Sequence, residues 1–453
     1  MLSRFSVICL IAAATAVALA AQPTVNSVSP GRNAVNAAAT TNVSADFSTN
    51  VGAPTGSTFR VWSNLRGWLG GSYSGGGTGS LSLDPSSNLL PGEKIQVILT
   101  SGLQDTSSNP LTGGYQWQFD AESSAGPGTW DKRSVPSGQY NPFDVAFGDI
   151  DGDGDIDMIT AGGGNVGYDK KCINDGNGNF TTYDIAYVAD GSYCCALADM
   201  DNDGDLDAII GNHPVNTGGN TISAANRIHW NDGNGNFYSS STFGTSTDET
   251  IDLDVGDVDG DGDIDIVTAN GTINGQNDYV YFNDGNGNLT AVAFSWIASS
   301  NIPVSDTAWS IKLADVDGDG DLDAIVGICG IITTADNIIY LNDGAGNFNR
   351  QNSFVFESGA VIEAIATGDF DGDGDLDIIC GGNGLCPSSV YFNDGNANFT
   401  AQQWDASSLV VYSLTAADMD ADGDLDVLVG CESGTASFIM FNNGSGAFSS
   451  GAA

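Results

Sequence analysis

Basic residues are the scarcest material in this chain. Against 57 Asp and Glu it has only 12 Lys and Arg and 2 His in 453 residues, for a formal charge of -45. Phosphate contacts need Lys and Arg, so nucleic acid and anionic membrane surfaces are excluded as direct partners. The two histidines, His213 and His229, and the lack of any Cys-x-x-Cys leave no zinc spacing. Proline is low at 12, and the 61 glycines have no every-third-residue register, which excludes a collagen-like rod. Beyond the N-terminus no segment approaches ~20 uninterrupted apolar residues, so no membrane insertion is expected. No Ser/His/Asp arrangement, P-loop or dinucleotide fingerprint occurs.

The N-terminus is the exception to the missing apolar runs. Met1 to Arg4 is followed by an apolar stretch from Phe5 to Leu19, and Ala18-Leu19-Ala20 offers a small-x-small cleavage site. Residues 1–20 read as a signal peptide, which places the mature chain outside the cell, secreted or at the surface. Cys9 sits inside the apolar region and away from the cleavage point, so lipidation is not expected. Seven cysteines follow: Cys172, Cys194, Cys195, Cys329, Cys380, Cys386 and Cys431. Export permits disulfides, and Cys380 with Cys386, across a short glycine-rich loop, is the pair that closes most easily. An odd count leaves at least one thiol free or intermolecular.

Residues 22–122 read as short strands between turn clusters. Examples are Asn42 to Phe47, Thr58 to Trp62, Lys94 to Leu99 and Tyr115 to Phe119, the last two alternating apolar and polar. This spacing predicts a small β-sandwich. Pro23 to Pro30, Leu90-Pro91-Gly92-Glu93 and Leu103 to Thr106 resemble the bacterial Ig-like module found beside surface-layer and repeat domains. Residues 123–128 read as a linker, and one repeating unit fills residues 129–453.

The acid is patterned. Six loops carry Asp at alternate positions: Asp149, Asp151, Asp153, Asp155 and Asp157; Asp199, Asp201, Asp203, Asp205 and Asp207; Asp257, Asp259, Asp261, Asp263 and Asp265; Asp315, Asp317, Asp319, Asp321 and Asp323; Asp369, Asp371, Asp373, Asp375 and Asp377; Asp418, Asp420, Asp422, Asp424 and Asp426. Together they hold 30 of the 57 acidic residues, so more than half of the acid sits where a cation can neutralise it. Carboxylates ~4 Å apart repel by roughly 1 to 4 kcal/mol per pair without one. Several hard oxygens around a glycine-bearing turn suit Ca2+, about one ion per loop, better than Mg2+, which keeps its waters and a strict octahedron. By analogy with other such loops, positions 1, 3, 5 and 9 supply side-chain oxygens and position 7 a backbone carbonyl.

An EF-hand is excluded. It needs Glu at position 12, where this chain has Thr160, Ile210, Thr268, Val326, Cys380 and Val429. The flanks, such as Met158-Ile159-Thr160 and Val427-Leu428-Val429, are short, apolar and β-branched-rich, and read as buried strands instead of helices.

Some 24 to 32 residues after each loop begins comes a second motif, starting at Asn174, Asn231, Asn283, Asn342, Asn393 and Asn442. Asn, Asp and Gly tolerate positive φ, so it reads as a hairpin turn. The unit is therefore strand A, Asp loop, strand B, variable loop, strand C, Asn-Asp-Gly turn, strand D. The loops begin 50, 58, 58, 54 and 49 residues apart, a period that predicts an all-β β-propeller. Over residues ~126 to 448 the unit resembles the FG-GAP/VCBS repeat family, known from the integrin α-subunit head. The resemblance implies calcium between strands A and B of each blade. Six blades follow if the segment from Trp130 to Val135 meets the C-terminal end; the integrin relatives have seven.

Successive connections of an antiparallel meander alternate between faces, so Asp loops and Asn-Asp-Gly turns share one face. Variable loops take the other, where recognition is expected. Tyr140, Tyr168, Lys170, Tyr193, His213, Arg227, Asp306 and Trp309 are the candidate ligand contacts there, and the long loop from His213 to Arg227 is its special feature. The function expected is non-catalytic adhesion or recognition of a glycan or extracellular protein. The alternatives are a structural part of a matrix or surface layer, and a polysaccharide lyase. A lyase needs a general base and cationic groups, which the chain scarcely has. Nothing in the sequence sets the oligomeric state.

Overall fold

The computed structural model describes residues 22–123, 142–162, 168–185, 191–217, 220–222, 224–271, 277–294, 307–329, 337–350, 361–382, 388–405, 409–432 and 435–451. The signal peptide, the linker after Ser123, the segment from Trp130 to Val135 expected to meet the C-terminal end, Tyr140, Asp306 and Cys386 lie outside these residues. The expected Cys380 to Cys386 bridge therefore does too.

Every regular element among the described residues is a strand. The N-terminal part is two antiparallel four-stranded sheets. One runs in the order Val25–Ser29, Val43–Phe47, Ser80–Pro85, Gly71–Ser74, and the other Gly67–Trp68, Phe59–Ser63, Lys94–Leu99, Tyr115–Asp120. Alternation decides which residues go inward: Val43, Ala45 and Phe47 from one sheet meet Ile95, Val97, Trp117 and Phe119 from the other in a shared core.

From Asp144 on, the described residues form six four-stranded antiparallel sheets, each in chain order, with a two-stranded hairpin added to the second. The fifth sheet shows the pattern: Ile362–Gly368, Asp377–Gly382, Ser388–Asn393 and Phe399–Asp405. The Asp loop joins its first two strands and the Asn-Asp-Gly turn its last two. The second strands of the inner sheets are almost wholly apolar and buried, because each of these sheets is covered on both faces by its neighbours. The first strands of all six sheets, Asp144–Gly148, Ser192–Ala198, Thr250–Gly256, Thr307–Ala314, Ile362–Gly368 and Val411–Ala417, pack successively on one another, so they are the innermost strands of a propeller.

The expected meeting of the chain's two ends is not made by the described residues. Ile159, Ile209, Val267, Ile325 and Ile379 occupy one register position in the first five sheets and are fully buried under the next sheet; their counterpart in the sixth, Leu428, is 41% exposed. On the opposite end face, Val145 is 41% and Phe147 50% exposed, while their counterparts Cys195 and Leu197 are buried. Among the described residues these two faces do not cover each other.

Candidate metal centre

Each Asp loop holds itself in shape by its own carboxylates. In the first, Asp149 accepts from the backbone N–H of Gly152 at 2.9 Å and Gly154 at 3.1 Å, and Asp151 and Asp153 each accept from the N–H two residues on. The glycine at position 6 has φ near +100° in every copy, from +93° at Gly154 to +101° at Gly204, which only glycine adopts freely.

These bonds gather the carboxylates. Single oxygens of Asp149, Asp151 and Asp157 lie within 4.8 Å of one another, as do those of Asp257, Asp259 and Asp265, of Asp315, Asp317 and Asp323, and of Asp369, Asp371 and Asp377. In the second loop the cluster is Asp199, Asp201 and Asp203. Position 7 departs from it: the carboxylates of Asp155, Asp205, Asp263, Asp321, Asp375 and Asp424 turn instead toward the turn glycines Gly176, Gly233, Gly285, Gly344, Gly395 and Gly444. A Cβ on any of these glycines would fall within 2.6 Å of a carboxylate oxygen, so the turn needs glycine for closeness as well as for its positive φ.

The clusters fit a cation. Asp201 Oδ1, Asp371 Oδ1 and Asp418 Oδ1 are buried and without a hydrogen-bond donor, a costly state for a carboxylate oxygen unless a metal completes it. Burial and the neighbouring carboxylates push Asp199 and Asp315 up to about 6, and burial takes Asp207 and Asp377 to about 8 and Asp323 to about 9. A divalent ion reverses each of these penalties.

Sequence patterns missed the use made of the turn asparagine. In the third sheet the backbone N–H of Asn283 donates to Asp265 at 2.8 Å, and its Nδ2 donates to the carbonyl of Ile264 at 3.1 Å and, across to the second sheet, of Met200 at 2.8 Å. The same side chain reaches back one sheet at Asn231 to Ile150, Asn342 to Val258, Asn393 to Val316 and Asn442 to Phe370. The repeated asparagine signalled a turn; its second partner, some 80 residues earlier, left no local trace.

The N-terminal sandwich sits on this same face and touches all six loops. Leu65 accepts from Asp149 N–H at 2.7 Å, and Arg60 donates to Asn202 at 2.6 Å and to the Gly262 carbonyl. Gln116 donates through its side chain to the Asp257 carbonyl and through its N–H to Gly320. Arg32 pairs with Asp315 at 2.5 Å, Asn33 donates to Gly374 and Asn36 to Gly423. Trp62 and Trp68 pack with Met200 and Ile264 between the two parts.

Family models for FG-GAP-like repeats match residues 149–210, 215–268, 257–326 and 329–380, and that for a bacterial Ig-like domain matches residues 20–121. The chain is an FG-GAP-like repeat protein headed by a bacterial Ig-like domain. No curated protein matches it. Among solved structures the FG-GAP chain is similar to the Dos1 propeller at 12% identity, over 89% of this chain and 92% of that one, with TM-score 0.40. It is also similar to the V. cholerae biofilm matrix protein Bap1 at 12% identity, over 90% and 87%, with TM-score 0.22. A third is the N-terminal part of the bacterial S-layer protein SbsC, at 14% identity, over 46% and 43%, with TM-score 0.15. At these scores none informs what this chain binds.

The far end of the innermost strands carries a second constellation. Five FG-GAP blades have a β-bulge at one register position, and the extra residues are Tyr193, Ile251, Trp309, Glu363 and Tyr412. Phe143, 56% exposed, holds the same position in the first sheet. A bulge re-aims a side chain, and here it does so at one level around the axis. Phe143 stacks on Tyr193 at 4.4 Å between ring centroids, and Tyr193 on His213 at 4.7 Å. His213 lies 3.6 Å from Glu249. Glu363 Oε2 is buried without a donor, and burial with nearby Glu432 raises its carboxyl to about 7. Of the candidate contacts, Tyr193, His213 and Trp309 belong to this level. Tyr168 lies under Lys170, which pairs with Asp184, and Arg227 donates to Ser240. Phe143, Glu363 and Tyr412 were not legible, because the residue types at the bulge do not repeat.

Proposed function

We propose that this chain is an exported, calcium-braced recognition module that binds a glycan or another extracellular protein on the face opposite its Asp loops. One observation carries the reading: the Ig-like domain occupies the loop face, while the opposite end keeps a level of bulged, partly exposed aromatic and acidic side chains. Aromatic faces suit the apolar face of a sugar ring, and carboxylates accept from its hydroxyls. Calcium is the ion because the loops offer many flexible carboxylate and carbonyl oxygens. The reading is of a binder rather than a lyase: His229 is buried in the second sheet, where burial holds its imidazole down to about 4, and His213 is stacked on Tyr193.

A glycan array probed with the full chain in calcium and in chelator tests this. Calcium-dependent hits lost in Tyr412→Ala support it; an array blank in both conditions removes the glycan version. The uncovered end faces at Val145, Phe147 and Leu428 favour a second reading, a structural part of a matrix or surface layer. Concentration-dependent assembly in sedimentation velocity would support it.

A further inference from the structure

Two of the chain's twelve basic residues are placed on Asp loops by the Ig-like domain. Arg32 Nη2 donates to Asp315 Oδ2 at 2.5 Å, and its Nη1 to the Gly318 carbonyl, both in the fourth loop. Arg60 Nη1 donates to the Gly262 carbonyl and, at 3.3 Å, to Asp263 Oδ1 in the third loop. Its guanidinium is fixed 3.5 Å over the Trp68 ring, and its other nitrogen meets the second loop only through the neutral Asn202 amide at 2.6 Å. The Ig-like domain meets the first, fifth and sixth loops through neutral groups, the Leu65 carbonyl and the Asn33 and Asn36 amides, while Lys171 lies in electrostatic range of Asp151 and Asp157 in the first loop and Arg32 of Asp375 in the fifth.

A fixed cation beside a cation site has one electrostatic sign. The arginine relieves the crowded carboxylates when no ion is present and repels the ion when it arrives, so it lowers affinity from both directions. Neutral contacts do neither; they hold loop backbone in the shape that binding needs.

We infer that Arg32 and Arg60 act as resident counter-cations that set the third and fourth metal loops, to which they bond directly, apart from the others, these two binding a divalent ion about ten-fold or more weakly than the sixth, which the neutral Asn36 amide meets. The inference rests on reading the loops as calcium sites. Coupling is reciprocal, so filling the two guarded loops loosens the arginines' hold, while filling the others leaves the Ig-like domain seated. The Ig-like domain thereby becomes a ligand of the metal face whose grip depends on how much calcium surrounds it.

Calorimetric titration of the chelator-stripped full chain with Ca2+ tests this. Two weaker sites are expected beside a tighter class. Arg32→Gln converts one of them to the tighter class, with a ten-fold or greater gain, and Arg32→Lys, which keeps the charge, does not. Arg66→Gln is the control, since Arg66 pairs with Glu93 inside the sandwich. A single uniform class in the wild-type chain, or an Arg32→Gln isotherm identical to wild type, overturns the inference while leaving the calcium reading intact. A chain that takes up no Ca2+ overturns both. Arg60→Gln repeats the test at the third loop, and Arg32→Gln decides the matter alone if loss of the Trp68 stack unfolds that variant.

Discussion

The two faces of the propeller are built on opposite principles. On the loop face six copies of one motif repeat with little variation, and the loops are held by bonds within themselves, from the next sheet and from the Ig-like domain. On the other face one backbone device, the bulge, recurs while the residue it presents changes from Tyr to Ile, Trp, Glu and Tyr. Uniform chemistry with many partners is what stability selects. Uniform backbone with varied side chains is what a binding surface needs, because position is held and identity is left to vary.

The largest expected effect tests the first half of that contrast. Removing calcium should lower the melting temperature steeply, by about 2.7 kcal/mol of stability for each loop that had been filled at about 100 times its Kd. Calorimetric melts with and without chelator check this, and an unchanged midpoint would break the comparison outright. Next in size is the staple. Asn283→Ala leaves the buried carbonyls of Met200 and Ile264 without their donor and should cost about 2 to 4 kcal/mol in urea unfolding, with ligand binding by the folded fraction unaffected.

A pH experiment probes the ground between the faces. Burial lowers His229 from its ordinary 6.5 to about 4, so protonation favours the unfolded chain. Its contribution is complete above pH 6.5 and is lost as pH falls toward 4, a change of up to about 3 kcal/mol. The difference between wild type and His229→Gln across that range isolates it from the loops' own acid sensitivity. The smallest stability effect belongs to the opposite face. Tyr412, 55% exposed, should be replaceable by Ala at a cost of about 0.5 kcal/mol or less while glycan-array signal falls. A large loss of stability with binding intact would reverse the assignment of the two faces.

What the sequence disclosed follows the same division. The Asp loops and the strands flanking them were legible because their determinants are local: alternate carboxylates, a glycine at positive φ, a buried apolar run. The sandwich was legible by alternation in Lys94–Leu99 and Tyr115–Asp120. The seating of the Ig-like domain was not, since it rests on single residues without period, Arg32, Asn33, Asn36 and Arg60, meeting backbone carbonyls more than 200 positions away. The bulges were hidden too, because a bulge is set by register between strands and leaves no fixed residue type behind. His213 was singled out for its place in a long loop, and its stack with Tyr193 and Phe143 joins residues up to 70 apart.

The asparagine staple gives the array a direction. In each of the first five loops the second carbonyl is closed by the sheet that follows, as Met200 is by Asn283 and Phe370 by Asn442. At the first sheet, Asn174 donates only to Ile156 of its own loop among the described residues. Every unit thus carries a hook at one end and an eye at the other, and a unit gained or lost in whole leaves all remaining junctions chemically unchanged. Such an array can take a further unit without inventing a new contact between neighbouring sheets, because the junction repeats while the sheets around it differ.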